Sequence, residues 1–243
     1  DGRTAQNYIF KERNIDRHIC KEFMIGYAPK SGKKSLVIDK IFKNKFSADQ
    51  IVESGFAKKS KEKELIYPYF INRLIFPIIT QSGNVIGFGG RSLDNSKPKY
   101  LNSPESEFFK KRNILFGSYN AKRHPKKDFG IILCEGYMDV ISLFKYGFPA
   151  VASLGTSITE NQLEEALSLS NIIFLVLDGD DAGKNATIRA FDKILKVLNV
   201  GKIFKFVFLP DQLDPEEYIN KYGLEEFNKK LKSAYSISDI IWF

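Results

Sequence analysis

Carboxylates follow three of the strands that the sequence predicts in its second half. Glu135 follows the apolar run IILC, Asp178 and Asp180 follow FLVL, and Asp214 follows KIFKFVFLP. Because ligands bind at the carboxyl ends of strands in a parallel sheet, we expect these acids at one edge. Clustered carboxylates repel one another unless cations neutralise them. Oxygen ligands favour Mg²⁺ or Mn²⁺ over zinc or copper, and such ions suit phosphoryl transfer.

Two further acids lie near this predicted edge, and each has a structural alternative. Asp139 comes four residues after Glu135, in the first turn of the next predicted helix. It could face the metal or simply favour the helix N-terminus. Glu216 follows Asp214, which could itself cap the helix begun by Pro215. We expect Asp139 and Glu216 to support the site.

The elements that must position these acids alternate strictly from residue 128 onward. The apolar runs GIILCEG, AVASLG, NIIFLVLD and KIFKFVFLP are separated by the helical patterns MDVISLFKYG, NQLEEALSLS and ATIRAFDKILKVLN. Thr159 and Gln162 form a capping-box pair for the second of these helices. Strands alternating with helices predict an α/β fold with a doubly wound parallel sheet.

The first half has a different pattern. Tyr8, Ile9, Ile15, Ile19 and Phe23 are spaced for the apolar stripe of a helix, which Gly26 is placed to end. A weaker helical pattern runs through residues 46–56. The runs 73–80 and 84–92 flank the turn Gln81–Gly83 and predict a β-hairpin. We expect a mixed α+β subdomain over 1–127, the sheet domain over 128–213 and a helical segment over 214–243.

Charge separates the same two halves. Residues 1–127 carry 26 Lys and Arg against 12 Asp and Glu, whereas residues 128–243 carry 11 against 17. A basic half suits phosphates and an acidic half suits divalent cations, although a basic surface can also serve solubility alone.

The 2 cysteines and 2 histidines have no metal-ligand spacing, so we expect no zinc. No apolar run is long enough for a membrane span, and two distant thiols suit a reducing, cytoplasmic setting.

Cations and aromatic residues are interleaved after the predicted hairpin. This combination suits phosphate contacts and base stacking, although the aromatic side chains could equally pack inward. The glycines of GFGGR (87–91) come before these residues. No predicted helix follows them, as one follows the glycines of a dinucleotide-binding fingerprint, and a β-bulge is the simpler interpretation. The residues that draw attention are Arg91, Lys99, Tyr100, Lys110, Lys111 and Arg112.

Several motifs in order resemble one family over nearly the whole chain. EGYMDV (135–140), LDGDDAG (177–183) and DPEEYI (214–219) resemble the Toprim module of bacterial DnaG-type primases. The segments before them, IGFGGR (86–91) and PKYLNSPES (98–106) with Phe109 and Lys111, are similar to the basic half of the primase core. YIFKERNI (8–15) and IGYAPK (25–30) resemble that family's opening.

The resemblance implies an RNA polymerase core that joins ribonucleoside triphosphates into short primers on single-stranded DNA. It implies that Glu135, Asp178 and Asp180 bind Mg²⁺ or Mn²⁺ and the triphosphate, with Glu135 a candidate general base and Asp214 completing the metal site. It implies a nucleic-acid template, a nascent RNA and a monomer in the bacterial cytoplasm. The residues implied in nucleotide and nucleic-acid binding are Arg13, Arg91, Lys99, Tyr100, Asn102 and Lys111.

The chain also departs from the family pattern. Glu216 stands where members commonly carry aspartate. We expect the chain to correspond to the core alone, without the family's zinc-binding domain and without the domain that binds the replicative helicase.

Three other interpretations remain open from the residues. An aspartate-based phosphatase could use Asp178 as a nucleophile, but its nucleophile belongs on an early strand. A topoisomerase would need a second domain with a reactive tyrosine. A basic nucleic-acid-binding module without catalysis would use its acids only structurally, and would bind DNA without a metal.

Overall fold

The structure, a computed structural model, divides into two compact units. The units are Asp1–Ile79 with Asn84–Phe109, and Thr80–Gly83 with Lys110–Phe243. For residues 177 and 181–188 only the backbone is described. The described residues are 2–30, 45–60, 66–94, 96–155, 157–177, 181–210 and 212–241.

The first unit is built around a four-stranded antiparallel sheet of order β1-β4-β5-β6. A separate antiparallel pair is formed by β2 and β3. The strands of the first unit are β1 Gly26–Ala28, β2 Ala57–Lys59, β3 Ile66–Pro68, β4 Arg73–Ile79, β5 Val85–Ser92 and β6 Tyr100–Asn102. Its helices are α1 Arg3–Gln6, a π-helix Asn7–Glu12, α2 Arg17–Glu22 and α3 Ala48–Glu53. The predicted hairpin is confirmed as β4 and β5.

The predicted N-terminal helix is wrong in its continuity. Asn14 adopts a left-handed φ of 48°, which interrupts the helix. Asp16 then caps a new helix by accepting a hydrogen bond from the backbone N–H of Ile19 at 2.9 Å. Gly26 does not end a helix but begins β1, opposite Ile75. The weak helical pattern of 46–56 shortens to α3, whose Ser47 and Gln50 form a capping box.

The second unit is built on a five-stranded sheet of order β11-β10-β9-β7-β8. Its strands are β7 Ile131–Cys134, β8 Ala150–Ala152, β9 Ile172–Leu177, β10 Ile203–Phe208 and β11 Tyr235–Ser236. Its helices are α4 Ser118–Arg123, α5 Tyr137–Lys145, α6 Glu160–Leu169, α7 Asp181–Val197, α8 Pro215–Tyr222, α9 Leu224–Lys232 and α10 Ile237–Ile241, with 3₁₀ turns at Lys111–Asn113 and Lys127–Phe129. The strands from β7 to β10 are parallel, which confirms the predicted α/β sheet.

Burial explains why β7, β8 and β9 are continuous apolar runs, whereas β10 carries one charged residue, Lys205. Each is covered on its faces by side chains from the connecting helices, as parallel strands generally are. The core of this unit contains Leu115, Ile131, Leu133, Val151, Leu163, Ala166, Ile173, Leu175, Ile194, Phe204 and Phe206, all at most 2% exposed.

The edges of this unit differ from the domain boundaries that composition suggested. Residues 110–127 belong to the second unit, because the backbone of Phe116 exchanges hydrogen bonds with Ala152 of β8 at 2.9 and 3.0 Å. At the other end, α8 to α10 were expected as helices, but Tyr235 and Ser236 form a short strand antiparallel to β10. The final segment therefore contributes an edge strand to the sheet.

Candidate functional site at the sheet edge

The order of the strands places a switch point between β7 and β9. The chain leaves β7 toward β8 on one side and leaves β9 toward β10 on the other. Successive connections that diverge in this way leave a crevice at the carboxyl ends of the two central strands, where ligands of α/β proteins bind.

Glu135 lies at this switch point. It directly follows β7, and its side chain is exposed. Leu133 pairs with Leu175 of β9, so continuing the register by two residues brings Glu135 level with Leu177, the last residue of β9. Leu177 is in turn paired with Phe208, the last residue of β10. The carboxylate of Glu135 therefore leaves the sheet at the edge where β9 and β10 also end.

The turn after Glu135 is fixed by Asp139. Its Oδ2 accepts a hydrogen bond from the backbone N–H of Gly136 at 2.9 Å, and this bond ties the first turn of α5 back to the end of β7. A Cβ on Gly136 would come within 2.7 Å of the same oxygen, so a larger residue here would displace the Asp139 carboxylate from this bond. Asp139 is buried and acts here as a helix-capping acid, the structural alternative that its position suggested.

Asp178 and Asp180 lie outside the described residues. They follow Leu177 in the chain and precede α7. Their predicted place in the site therefore stays a prediction.

Asp214 and Glu216 both belong to the start of α8, which follows β10. Asp214 is the N-cap: its Oδ1 accepts a hydrogen bond from the N–H of Glu217 at 2.7 Å, while the Glu217 carboxylate accepts one from the N–H of Asp214 at 3.3 Å. Pro215 occupies the first helical position, where a missing N–H costs nothing. Glu216 is 6% exposed. The cap uses one oxygen of Asp214 in these bonds.

The described residues supply oxygen donors but not a complete metal cluster. Among them, no group of three or more His, Cys, Asp or Glu side chains is placed to hold a metal ion. Two of the four predicted ligands, Glu135 and Asp214, are described, and both are carboxylates on segments that follow parallel strands. This donor chemistry fits a hard divalent cation and does not fit a thiolate-type zinc site.

Candidate functional site in the first unit

Four side chains of the first unit form a cluster that we call the arginine–tyrosine cluster: Tyr8, Arg13, Arg91 and Tyr100. Arg91 and Tyr100 are directly opposite on β5 and β6, and Arg91 Nη1 donates to the Tyr100 hydroxyl at 2.5 Å. The Arg91 guanidinium lies 5.3 Å from the centre of the Tyr100 ring and 4.7 Å from that of Tyr8. Arg13 Nε donates to the Tyr8 hydroxyl at 2.8 Å. The structure thus brings together three predicted binding residues.

The other predicted binding residues are placed differently. Asn102 is two residues after Tyr100 on β6, opposite Gly89, so it shares a sheet face with Tyr100. Lys99 precedes β6 and is exposed. Lys111 belongs to the second unit, where its carbonyl accepts a hydrogen bond at 2.9 Å from the buried amide of Gln162. The first unit therefore carries five of the six predicted binding residues.

The glycines before Arg91 serve packing. A Cβ on Gly87 would meet the Phe109 ring at 3.0 Å, and one on Gly90 would meet the Phe70 ring at 2.6 Å. Both rings are buried. The pairing of β4 with β5 is irregular next to Gly87: Ile78 pairs with Gly87, but Ile79 pairs with Val85. The predicted bulge is therefore real, and it lies at Ile86, one residue before the glycine run.

Polar side chains hold the loop between β5 and β6 in place. Asp94 accepts hydrogen bonds from Asn72 Nδ2 at 2.8 Å and Ser92 Oγ at 3.0 Å. These bonds, with another from Ser96, hold the pKa of Asp94 below its usual range. The buried Arg73 donates to the carbonyls of Gly90 and Lys99. Burial lowers the Arg73 pKa, and the Asp94 carboxylate opposes that shift. The loop that carries Lys99 into Tyr100 is thereby fixed.

Sequence reasoning missed two members of these networks. It assigned Tyr8 to the apolar stripe, whereas Tyr8 is only half-buried and directs its hydroxyl to Arg13. The signal that could have marked Tyr8 is its polar handle, since tyrosine on an apolar stripe usually finds a hydrogen-bond partner. Asp94 carried no sequence signal beyond its place in a polar loop.

Among the described residues, the helices are all too short or too polar to cross a membrane.

Both halves of the chain match known family models. Residues 1–122 match the DNA primase catalytic core, N-terminal domain, and residues 132–219 match a Toprim-like family. A DNA primase of Rickettsia bellii is 41% identical over 238 residues, which are 97% of this chain and 39% of the relative. A DNA primase of Haemophilus influenzae is 37% identical over 239 residues, which are 98% of this chain and 40% of the relative. The chain therefore spans about two fifths of the length of these curated relatives.

Solved structures give the same result. The E. coli primase catalytic core superposes with a TM-score of 0.90 at 34% identity, covering 99% of this chain and 76% of that one. A DnaG primase catalytic domain bound to single-stranded DNA superposes with a TM-score of 0.89 at 34% identity, covering 98% and 74%.

Proposed function

Because the chain belongs to the catalytic core family of DnaG-type primases, we propose that it synthesises short RNA primers on single-stranded DNA by metal-dependent nucleotidyl transfer. The observation that carries this proposal is the exposed carboxylate of Glu135 at the switch point of the parallel sheet. Primases with a Toprim module are metal-dependent in general.

The acids divide between ligands and supports. We assign Glu135, Asp178, Asp180 and Asp214 to Mg²⁺ or Mn²⁺, which when bound would neutralise the charge of the triphosphate and of the leaving pyrophosphate. Asp139 supports the site by fixing the turn after Glu135. Glu216 supports it from the first turn of α8, the helix that Asp214 caps.

Glu135 is also the candidate general base. Glu135 directly follows β7 and its side chain is exposed. Its carboxylate oxygens can therefore accept the proton of an attacking 3′-hydroxyl. The hydrogen bond from Gly136 to Asp139 fixes the backbone that directly follows Glu135. Fixed geometry of this kind is what general-base catalysis requires.

The first unit supplies cations for phosphate. Arg91 and Arg13 present guanidinium groups held by tyrosines, and the exposed Lys99 adds a further positive charge. We assign these residues, with Tyr100, Asn102 and Lys111, to the incoming ribonucleotide, the template and the nascent RNA. The single-stranded DNA bound to one structural relative supports this assignment.

We further propose that the whole protein works as a monomer in the bacterial cytoplasm, without membrane contact. We propose that it meets a replicative helicase through a part of the protein other than this chain, and that any zinc is likewise held elsewhere. These statements rest on the family alone.

A second function is favoured by one observation. Asp139 and Asp214 both cap helices, which is what acids in a purely structural role would do. A non-catalytic nucleic-acid-binding module would therefore show DNA binding that needs no metal and would synthesise nothing.

Primer synthesis separates the two functions. The chain is incubated with single-stranded DNA, ribonucleotides and Mg²⁺ or Mn²⁺, and Asp178→Ala and Glu135→Ala are compared with the unmodified protein. The proposal expects product from the unmodified protein and none from either variant. A lack of product at high protein concentration would support the binding module, and a fully active variant would overturn the site assignment.

A further inference from the structure

Tyr8 lies at the centre of the arginine–tyrosine cluster. Its ring centre is 4.7 Å from the Arg91 guanidinium and 5.6 Å from that of Arg13, and its hydroxyl accepts the Arg13 Nε–H at 2.8 Å. Tyr8 therefore contacts both arginines of the cluster. The sequence pattern assigned Tyr8 only to the apolar stripe of a helix.

The π-helix is what brings Arg13 to Tyr8. In an α-helix, with about 3.6 residues per turn, residues five apart lie roughly 140° from each other around the axis. Here the N–H of Arg13 donates to the carbonyl of Tyr8 at 3.0 Å, the i to i+5 bond of a π-turn. This wider turn stacks Arg13 one turn beyond Tyr8. A π-turn is an uncommon feature that is frequent at functional sites.

Arg91 is held by the two rings rather than by a full set of hydrogen bonds. Its Nη1 bonds to the Tyr100 hydroxyl, whereas its buried Nε has no hydrogen-bond partner among the described residues. Two aromatic faces within 6 Å stabilise a guanidinium by cation–π attraction. Removing the Tyr8 ring would leave Arg91, among the described residues, with Tyr100 as its aromatic neighbour and with more rotational freedom.

We propose that Tyr8 is a positioning residue that orders Arg13 and Arg91 for contact with phosphate. The ring orders Arg91 and the hydroxyl orders Arg13, so both guanidinium groups lose conformational freedom before the ligand arrives. This proposal rests on the proposed function, in which the two arginines bind phosphate. The phosphate can belong to the template backbone or to the incoming triphosphate, and separate measurements distinguish these sources.

Two variants separate the contact of the Tyr8 ring with Arg91 from the hydrogen bond of its hydroxyl with Arg13. Tyr8→Phe keeps the ring and removes the hydroxyl, and Tyr8→Leu removes both. We expect about a threefold weakening of binding for the first and about a tenfold weakening for the second. The template arm is the dissociation constant for a single-stranded DNA oligonucleotide, and the triphosphate arm is the KM for a ribonucleotide. Tyr119→Leu is the matched control, because it removes another ring–arginine contact, with Arg123 at 4.8 Å.

A salt titration and a double-mutant cycle separate positioning from general destabilisation. Ordered arginines neutralise phosphates, so Tyr8→Leu should flatten the dependence of log K on log salt by about 0.7 for each phosphate that is no longer neutralised. In an Arg13→Ala/Arg91→Ala background the additional Tyr8→Leu change should have no effect, since the groups it orders are gone. A merely structural Tyr8 would weaken binding equally in both backgrounds.

The outcomes distinguish this proposal from the proposed function. If Arg91→Ala and Arg13→Ala weaken binding but Tyr8→Leu does not, or does so additively, the positioning role is wrong and the phosphate role stands. If neither arginine variant changes either arm, the phosphate role fails and the positioning role fails with it. Should Tyr8→Leu unfold, as thermal denaturation would show, Tyr8→Phe decides by the same cycle with Arg13→Ala.

Discussion

The sheet edge and the arginine–tyrosine cluster are built in different ways. At the sheet edge, backbone topology positions Glu135, because a parallel register carries every strand end to the same side. In the cluster, side chains position one another. Arg91 and Tyr100 lie on paired strands, whereas Tyr8 lies in the π-helix Asn7–Glu12 and Arg13 directly follows it, far away in sequence. Sites that depend on topology should tolerate surface changes, and sites that depend on contacts should not.

Removing metal should affect only the first of these regions, and this is the largest expected effect. Chelation with EDTA should abolish primer synthesis, because the carboxylates then repel the triphosphate. Binding of single-stranded DNA, measured by fluorescence anisotropy, should change by less than about twofold, since the cluster uses protein cations. Equal loss of both would show that the two regions are not independent.

Gly136→Ala tests how far the sheet edge depends on one close contact. The new Cβ would meet Asp139 Oδ2 at 2.7 Å and should break the bond to the Gly136 N–H, at a cost of about 1–2 kcal/mol in the free energy of unfolding. We expect kcat to fall while single-stranded DNA binding is retained. Gly2→Ala is the control, because no atom of the described residues lies within 4 Å of a Cβ built on Gly2. Unchanged stability and kcat would remove Asp139 from its supporting role.

Asp94→Asn tests the hydrogen bonds that hold the loop before Tyr100, through the pH dependence of the free energy of unfolding. Hydrogen bonds from Asn72, Ser96 and Ser92 lower the pKa of Asp94 in the folded protein, so its contribution to stability is present above about pH 4 and is lost as the pH falls below it. Because Asp94 is exposed, we expect a difference of no more than about 1 kcal/mol at neutral pH. Urea unfolding at pH 7 and pH 3 should show the difference shrinking in acid. A difference independent of pH would contradict the account.

Deleting Lys11 should have the smallest effect and is the sharpest test of the π-turn. Lys11 is exposed within the π-helix. Its deletion would place Tyr8 and Arg13 four positions apart in the chain, and residues four apart are neighbours on the surface of an ordinary α-helix. Single-stranded DNA binding should therefore stay within about twofold. A loss as large as that of Tyr8→Leu would mean that the π-turn matters for more than this pair.

The parts of the molecule that could be predicted from the sequence are those governed by local pattern. The four parallel strands are the predominantly apolar runs from which they were predicted, and the capping box of Thr159 and Gln162 is present at 3.1 and 3.2 Å. The sequence could not show that Gln162 also donates from its Nε2 to the carbonyls of Lys111 and Ile114, because those residues lie some fifty positions away. Such contacts depend on the assembled fold.

The errors have the same cause. The strand Tyr235–Ser236 is two residues long, too short to produce an alternating pattern, and it exists because β10 offers an open edge. Tyr8 fitted an apolar stripe, and only the wider π-turn and the neighbouring strand reveal its contact with two arginines. Asp178 and Asp180 remain predictions from strand position and family resemblance.

The most direct measurement is the first phosphodiester bond. Single-turnover dinucleotide synthesis on single-stranded DNA is followed for the unmodified protein and Glu135→Gln over a range of Mg²⁺ or Mn²⁺ concentrations. We predict that Glu135→Gln forms the bond at least roughly a hundredfold more slowly at saturating metal, with unchanged affinity for the DNA. Bond formation by Glu135→Gln at the unmodified rate would contradict it.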